Sequence, residues 1–384
     1  MPHSNGRLPP TQSRPKVAIV ADWLTNMGGA ERVVLELHAM YPEAPIYTSV
    51  YNKSALPEFN GIDVRTTYLE KLLPRSIRYK HVLWPVLRAF AFRKLDLQAY
   101  DIIISSASAE AKAVIKRPDA THICYCHTPT RYYWSHYNEF KKSFDFGALT
   151  PLIRPLIPAF VHWMRRLDLR AAAGVDIFIA NSTEVQKRIH QYYKRSSTVV
   201  HPPVDVNRFE PARVRGDYYV ALGRQVPYKR IDLAVAAATK LGINLRVYGT
   251  GSEHERLVAL AGPTVQFFTD RFGDASDSAV ATALNGAKGY IFPAEEDFGI
   301  VQVEALAAGA PVIAFGKGGA LDIVQDGESG ILFAEQTVES VVRAIKKAEQ
   351  TTFLPGTLRR KAKRFDRSLF ITKIRKIVGD SARP

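Results

Sequence analysis

Two segments of this chain open in the same way, and that repetition limits what the rest can fold into. Lys16–Ala21 is a short, β-branched, strand-like run, followed by a loop holding Gly28 and Gly29 and then by a helical pattern from Ala30-Glu31-Arg32-Val33-Val34. Tyr218–Leu222 reads as another strand, Gly223–Lys229 as its loop and Ile231–Leu241 as an amphipathic helix. Leu245–Tyr248, Val265–Phe268, Gly289–Phe292 and Val312–Phe315 then recur as short apolar runs between helical stretches. Short apolar strands alternating with helices imply a parallel, doubly wound sheet, and here the pattern occurs twice. The expected fold class is therefore α/β, with two Rossmann-like domains. A length of 384 residues gives each domain a substantial core.

Composition narrows the partners. The chain is 46% apolar and 23% charged, as in a soluble globular protein rather than a disordered one. The longest apolar stretches, Val82–Phe92 and Pro155–Met164, are too short to span a membrane and are broken by Pro85, Arg88, Pro158 and His162. Residues 1–15 are polar, rich in Pro and Ser, and lack the apolar core of a secretory signal, so a flexible tail is expected. The only cysteines, Cys124 and Cys126, alternate on a strand-like run and provide no disulfide framework. Buried structural thiols in a reducing, cytoplasmic setting are expected; a metal-binding pair would need further ligands nearby. The net charge of +15 asks for an anionic partner: nucleic acid, nucleotide phosphates or an acidic membrane surface. No RNA-binding aromatic motif or zinc-finger spacing accompanies the basic residues, which argues against nucleic acid.

The most informative segment runs Glu296-Asp297-Phe298-Gly299-Ile300-Val301-Gln302-Val303-Glu304. A strand ends near Pro293 and a helix begins close to Gly299, which places free amides and a favourable macrodipole at a helix start, a site for an anion. Glu296 precedes that helix and Glu304 lies between one and two turns into it, so the two carboxylates can address different parts of one ligand. A carboxylate accepts paired hydroxyls of the kind ribose or a hexose offers. Taken alone, the pair is also the pattern of a capping acid and a solvated helix glutamate.

The surrounding residues bear on that choice. The segment continues through Ala305-Leu306-Ala307-Ala308-Gly309-Ala310-Pro311-Val312-Ile313 to Gly318-Gly319 and Asp326-Gly327-Glu328-Ser329-Gly330. This resembles the E-x7-E signature and downstream glycine turns of family-4 glycosyltransferases, which are retaining enzymes of the GT-B fold; the resemblance implies two Rossmann-like domains facing each other across a cleft. Gly28-Gly29-Ala30-Glu31-Arg32-Val33, Asn181-Ser182-Thr183, Gly223-Arg224 with Lys229, and Gly249-Thr250-Gly251 extend the resemblance from Val17 to about Phe370. Each piece is weak alone; their order and spacing are specific. Cys126-His127-Thr128-Pro129-Thr130-Arg131-Tyr132-Tyr133-Trp134 resembles bacterial mannosyl- and rhamnosyltransferases of surface polysaccharide assembly.

The resemblance implies roles for the matched positions. Arg224 and Lys229 correspond to the basic pair that grips the donor diphosphate, where a cation neutralises the charge of the leaving group. Gly28 and Gly29 correspond to the loop that approaches the phosphates from the N-terminal domain, although a plain helix-entry turn has the same sequence. Glu304 corresponds to the acid that holds the ribose hydroxyls. Glu296, with the amides of Phe298, Gly299 and Ile300, corresponds to the cradle for the donor sugar and distal phosphate. His127 corresponds to the histidine beside the transferring sugar, as a hydrogen-bonding group rather than a nucleophile.

The implied domains are 16–203 for the acceptor and 204–365 for the nucleotide sugar. Residues 366–384 are implied to return to the first domain, with Ser368–Val378 as a helix. The linker is expected within Asn181–Val206, which ends in the stiff His201-Pro202-Pro203-Val204-Asp205.

Three positions depart from the family pattern: Asp297 stands where the wider family usually has Gly, although Asp is familiar in the closer subgroup, Asp322 stands where Glu is usual, and Thr269 replaces a common Gly near the base. No Asp-x-Asp motif occupies a strand end, so metal-independent transfer without a cofactor is expected. The implied donor is a nucleotide diphosphate sugar, GDP-mannose first and a UDP-hexose second, and the implied acceptor is a lipid-linked or growing polysaccharide. A dinucleotide oxidoreductase is disfavoured by the lack of G-x-G-x-x-G after Ala21 or Leu222. A catalytically silent nucleotide- or polysaccharide-binding protein remains the alternative. Lys71–Lys94, with Lys71, Arg75, Arg78, Lys80, Arg88, Arg93 and Lys94 among Leu83, Trp84, Val86, Leu87, Phe90 and Phe92, suggests peripheral attachment to the inner face of a membrane. The same pattern fits an ordinary core with a solvated face. Arg154–Arg170 with Trp163 is a second basic and apolar patch.

Overall fold

The computed structural model describes residues 15–79, 84–135, 137–138, 141, 150, 154–212, 214–268 and 277–381. The expected tail, Thr269, Lys80 and Leu83 fall outside these residues, apart from Pro15. The first sheet comprises β1 (Val17–Ala21), β2 (Ile46–Thr48), β3 (Val64–Thr66), β4 (Ile102–Ala107), β5 (Thr121–Cys126), β6 (Ile177–Ala180) and β7 (Thr198–Val199). Its order is β3-β2-β1-β4-β5-β6-β7, with every pairing parallel. The second sheet comprises β8 (Tyr219–Leu222), β9 (Leu245–Tyr248), β10 (Val265–Phe268), β11 (Gly289–Phe292), β12 (Val312–Phe315) and β13 (Gly330–Phe333). Its order is β10-β9-β8-β11-β12-β13, again all parallel. These are the two doubly wound sheets that the strand and helix alternation implies.

Side-chain alternation along each strand divides both cores into two layers, one on each face of the sheet. In β1, Val17, Ile19 and Ala21 pack with Val33, Val34 and Leu37 of the helix Gly29–Met40. Ala18 and Val20 face the opposite layer, with Cys124, Cys126 and Phe178. Both cysteines are buried, unbonded thiols. In β8, Val220 and Leu222 pack with Val303 and Leu306 of the helix Ile300–Ala307, whereas Tyr219 and Ala221 pack with Ala234 and Val235 of the helix Ile231–Leu241.

The connection between the sheets is shorter than Asn181–Val206. Ser182 caps the helix Thr183–Tyr193 by accepting from the Val185 amide, and Val185 and Ile189 bury themselves on the first sheet. With β7 also in that sheet, only Val200–Asp205 is left to cross. The chain returns beside this crossing: the Val204 amide donates to the Phe365 carbonyl, and the Arg367 amide donates to the Val204 carbonyl. The last helix, Arg367–Ser381, then buries Phe370, Ile374 and Val378 in the first sheet's core, at the i, i+4, i+8 spacing of one helical face.

The basic stretch Lys71–Lys94 is less available than its sequence suggests. Arg88 is buried, paired with Glu110 at 2.9 Å, and its guanidinium lies over Trp23. Arg78 donates to Glu70 at 2.6 Å and to the Leu73 carbonyl, and Phe92 is in the core. These acids lie just before and well after the stretch in sequence, so only folding reveals the pairing. By contrast, Leu156, Phe160, Trp163 and Leu169 are exposed on and just before the helix Ile157–Ala173, together with Arg154, Arg166 and Arg170. Among the described residues no helix is long and apolar enough to cross a membrane.

Candidate functional site

In an open parallel sheet, ligands bind beyond the carboxyl ends of the strands where the strand order reverses. The reversal falls between β1 and β4 in the first sheet and between β8 and β11 in the second. Gly28 and Gly29 follow β1, Arg224 and Lys229 follow β8, and Glu296 follows β11, while His127 follows β5, the strand beside β4.

After β11 the chain passes through Glu296, Asp297 and Phe298 to Gly299, which has φ of 89° and caps the helix Ile300–Ala307. That left-handed conformation is open to glycine at little cost. The Gly318-Gly319 turn lies flush against the same segment: the Gly319 amide donates to the Glu296 carbonyl at 2.8 Å. A Cβ on Gly318 would run into the Glu296 carbonyl oxygen, and one on Gly319 into the Phe298 backbone. Phe298 is buried, stacked on His201 with ring centroids 5.3 Å apart, and edge-on to Phe365. The helix start that carries the Phe298, Gly299 and Ile300 amides is therefore held rigidly from behind.

The loop after β8 brings cations to the same place. Lys229 forms an ion pair with Glu296. Burial, with Arg224 and Arg131 nearby, pushes the Lys229 ammonium down to about 7, and Asp297 opposes the shift. Arg224 donates to the Tyr228 hydroxyl at 2.8 Å. Glu304 is buried, and its Oε1 accepts from Arg32 of the first domain and from Arg208 of the second, each at 3.0 Å.

The first domain supplies the facing wall. Gly28 caps the helix Gly29–Met40, and a Cβ on Gly29 would approach the Ile300 side chain to 3.1 Å, so this turn sits close against the opposing helix start. His127, just past β5, has its Nε2 2.7 Å from Ser106 Oγ, and burial pushes its imidazole down to about 4. A neutral ring at physiological pH suits a hydrogen-bonding role. Asp297 is near enough for its charge to act on His127, against that shift.

Folding also joins residues to which the sequence attached no role. Asp297 accepts from Arg131 at 2.5 Å and from Arg188 at 2.6 Å, both from the first domain. Asp322 accepts from the Thr183 amide at 2.7 Å, at the N-terminus of a first-domain helix. Two of the positions that depart from the family pattern thus make contacts between domains. Their departure was the only signal the sequence held; the partners are more than a hundred residues away. Among the described residues no three His, Cys, Asp or Glu side chains gather as metal ligands do.

Comparison with known proteins agrees with this architecture. Residues 27–208 match the model for Glycosyltransferase Family 4, and residues 203–365 match that for Glycosyl transferases group 1. Curated relatives include an uncharacterized glycosyltransferase of Methanocaldococcus jannaschii, 26% identical over 51% of this chain and 56% of its own. A D-inositol 3-phosphate glycosyltransferase of Rhodococcus erythropolis is 31% identical over 47% of each chain. The chain thus spans about half the length of the curated relatives it matches. Among solved structures, sucrose-phosphate synthase from Thermosynechococcus elongatus superposes with a TM-score of 0.72 at 16% identity, covering 96% of this chain and 99% of its own. Anabaena HepE in complex with UDP-glucose superposes with a TM-score of 0.68 at 18% identity, covering 96% of this chain and 100% of its own. With its two domain models running end to end over residues 27–365 and two doubly wound sheets beneath them, the chain belongs to the GT-B glycosyltransferases of the family-4 kind.

Proposed function

We propose that this protein is a retaining glycosyltransferase that moves a hexose from a nucleotide diphosphate donor to a carbohydrate acceptor. The observation that carries the reading is the Lys229–Glu296 pair, set with Arg224 beside the start of the helix Ile300–Ala307. Arg224 and Lys229 take the diphosphate, and the Ile300 end of the helix adds its amides and macrodipole. Glu296 then exchanges its lysine for a hydroxyl of the donor sugar. As the bond from the sugar C1 to the diphosphate breaks, the acceptor oxygen bonds C1 on the same face and its proton passes to the departing diphosphate. The cations act most strongly there, because leaving-group charge grows in the transition state. His127, neutral and buried, donates or accepts a hydrogen bond to the sugar.

GDP-mannose is the first donor to test, on the resemblance carried by the His127 segment, with UDP-hexoses second. Related structures hold UDP and UDP-glucose, which supports the nucleotide-sugar class. The acceptor read from the same resemblance is a lipid-linked or growing polysaccharide. The exposed Leu156, Phe160 and Trp163 with Arg154, Arg166 and Arg170 support peripheral attachment to an anionic leaflet. Thermal protection and donor turnover across a panel of nucleotide sugars test the proposal. Neither protection nor turnover with any of them would refute it.

A further inference from the structure

The first domain holds a buried carboxyl group that the proposed chemistry does not yet use. A cavity of about 30 Å³ lies at the β1/β4 reversal, lined by Asp22, Trp23, Ala30, Glu31, Ser106 and Ser108 among others. Such a space admits a water molecule or a sugar hydroxyl. Ser106 joins it to His127 at 2.7 Å, and Arg224 of the opposite domain is near enough for its charge to act on Glu31. The cavity therefore lies between the histidine wall and the diphosphate cations.

Asp22 is already committed: its Oδ2 accepts from the Ser108 and Ala109 amides at 2.6 and 2.9 Å, and its Oδ1 from the Ala111 amide at 2.7 Å. Glu31 differs. It is the third residue of the helix Gly29–Met40, and the amides of Gly28 and of Glu31 itself support its carboxylate. Reaching back to the N-cap amide is what a capping-box glutamate does, and a glutamine serves that purpose equally well. A cap requires neither burial nor a second buried acid beside it. Burial pushes the Glu31 carboxyl up to about 7, Asp22 adds to the shift, and Arg224 with the two amides opposes it. A carboxyl group poised near neutrality in a polar cavity of the cleft suits a substrate-binding role.

We infer that Glu31 is an acceptor-binding residue, its ionised carboxylate taking a hydrogen bond from a hydroxyl of the incoming acceptor sugar. The inference rests on the glycosyltransferase reading and adds to it which wall receives the acceptor. The hydroxyl concerned is a neighbour of the attacking one, whose own proton leaves with the diphosphate. His127 is neutral near pH 7, and Asp22, although burial raises its carboxyl too, has both oxygens occupied by three amides, so of the two acids lining the cavity Glu31 is the one placed to accept from a ligand. Across the cleft, Lys229 also titrates near that pH, but it acts on the donor.

Glu31→Gln separates a cap from an acceptor contact, because glutamine keeps the oxygen that faces the Gly28 amide. Calorimetry with GDP and UDP should give affinities within about twofold of wild type. With a panel of alkyl hexosides as acceptors and the donor that wild type uses, KM for the best hexoside should rise about tenfold or more. In wild type that KM should fall as pH rises through about 7, and the variant should lose this dependence. Glu31→Asp, which keeps the charge, should retain it and serves if the glutamine variant does not fold. An unchanged hexoside KM and pH profile would overturn the inference, as would equal losses in nucleotide and hexoside binding. Donor turnover in wild type that no hexoside accelerates would overturn it too, while leaving donor chemistry standing. Absence of any donor turnover in wild type would instead remove the glycosyltransferase reading beneath it.

Discussion

Arg32 of the first domain reaches Glu304 of the second at 3.0 Å, on the same carboxylate oxygen that Arg208 also approaches at 3.0 Å. The acid that the resemblance assigns to ribose is thus also a tie across the cleft. Glu304→Ala removes a charged acceptor from the ribose hydroxyls and the shared partner of two guanidinium groups. It should weaken nucleoside diphosphate binding, measured by calorimetry, and lower stability toward denaturant by about 1–2 kcal/mol. Unchanged affinity with lowered stability would assign Glu304 to the tie alone.

Lys229→Ala should reduce turnover more than tenfold at saturating donor, a loss of about 2 kcal/mol of transition-state stabilisation. The pH dependence carries a sign. Burial holds the Lys229 ammonium down at about 7, so its charge is present below that value and lost above it. Affinity for an intact nucleotide sugar should therefore fall as pH rises through 7, and binding should take up protons there. Calorimetry in buffers of different ionisation enthalpy measures the uptake, which Lys229→Ala should abolish.

Activity should survive EDTA without added Mg²⁺ or Mn²⁺, because Arg224 and Lys229 supply positive charge where the diphosphate leaves. Loss of turnover on chelation, restored by metal, would show that a bound ion stabilises the leaving group.

Sedimentation with vesicles tests membrane attachment. Binding should require anionic lipid, weaken with salt, and fall when Arg166, Arg170 and Trp163 on the helix Ile157–Ala173 are replaced by Ser. Replacing Arg88 instead should lower stability, since it leaves buried Glu110 without its cation partner. Equal recovery in the supernatant with and without anionic vesicles would make the patch ordinary surface.

Much of the fold was legible because it is written locally. The apolar runs Leu245–Tyr248, Val265–Phe268, Gly289–Phe292 and Val312–Phe315 coincide with β9, β10, β11 and β12, and Ile231–Leu241 with its helix. A strand needs only a few consecutive apolar residues, and a helix only its own periodicity. Gly299 could be read as a helix entry for the same reason, since its left-handed conformation and the helix after it involve adjacent residues. Tertiary structure alone decided which charges meet. Asp297 finds Arg131 and Arg188, Asp322 finds the Thr183 amide, and Glu304 finds Arg32, each pair separated by more than a hundred residues. It also turned Arg88 from an apparent surface charge into a buried partner of Glu110, and enclosed Glu31 beside Asp22. Burial and charge proximity belong to the folded arrangement of two domains, so no local pattern of residues can carry them.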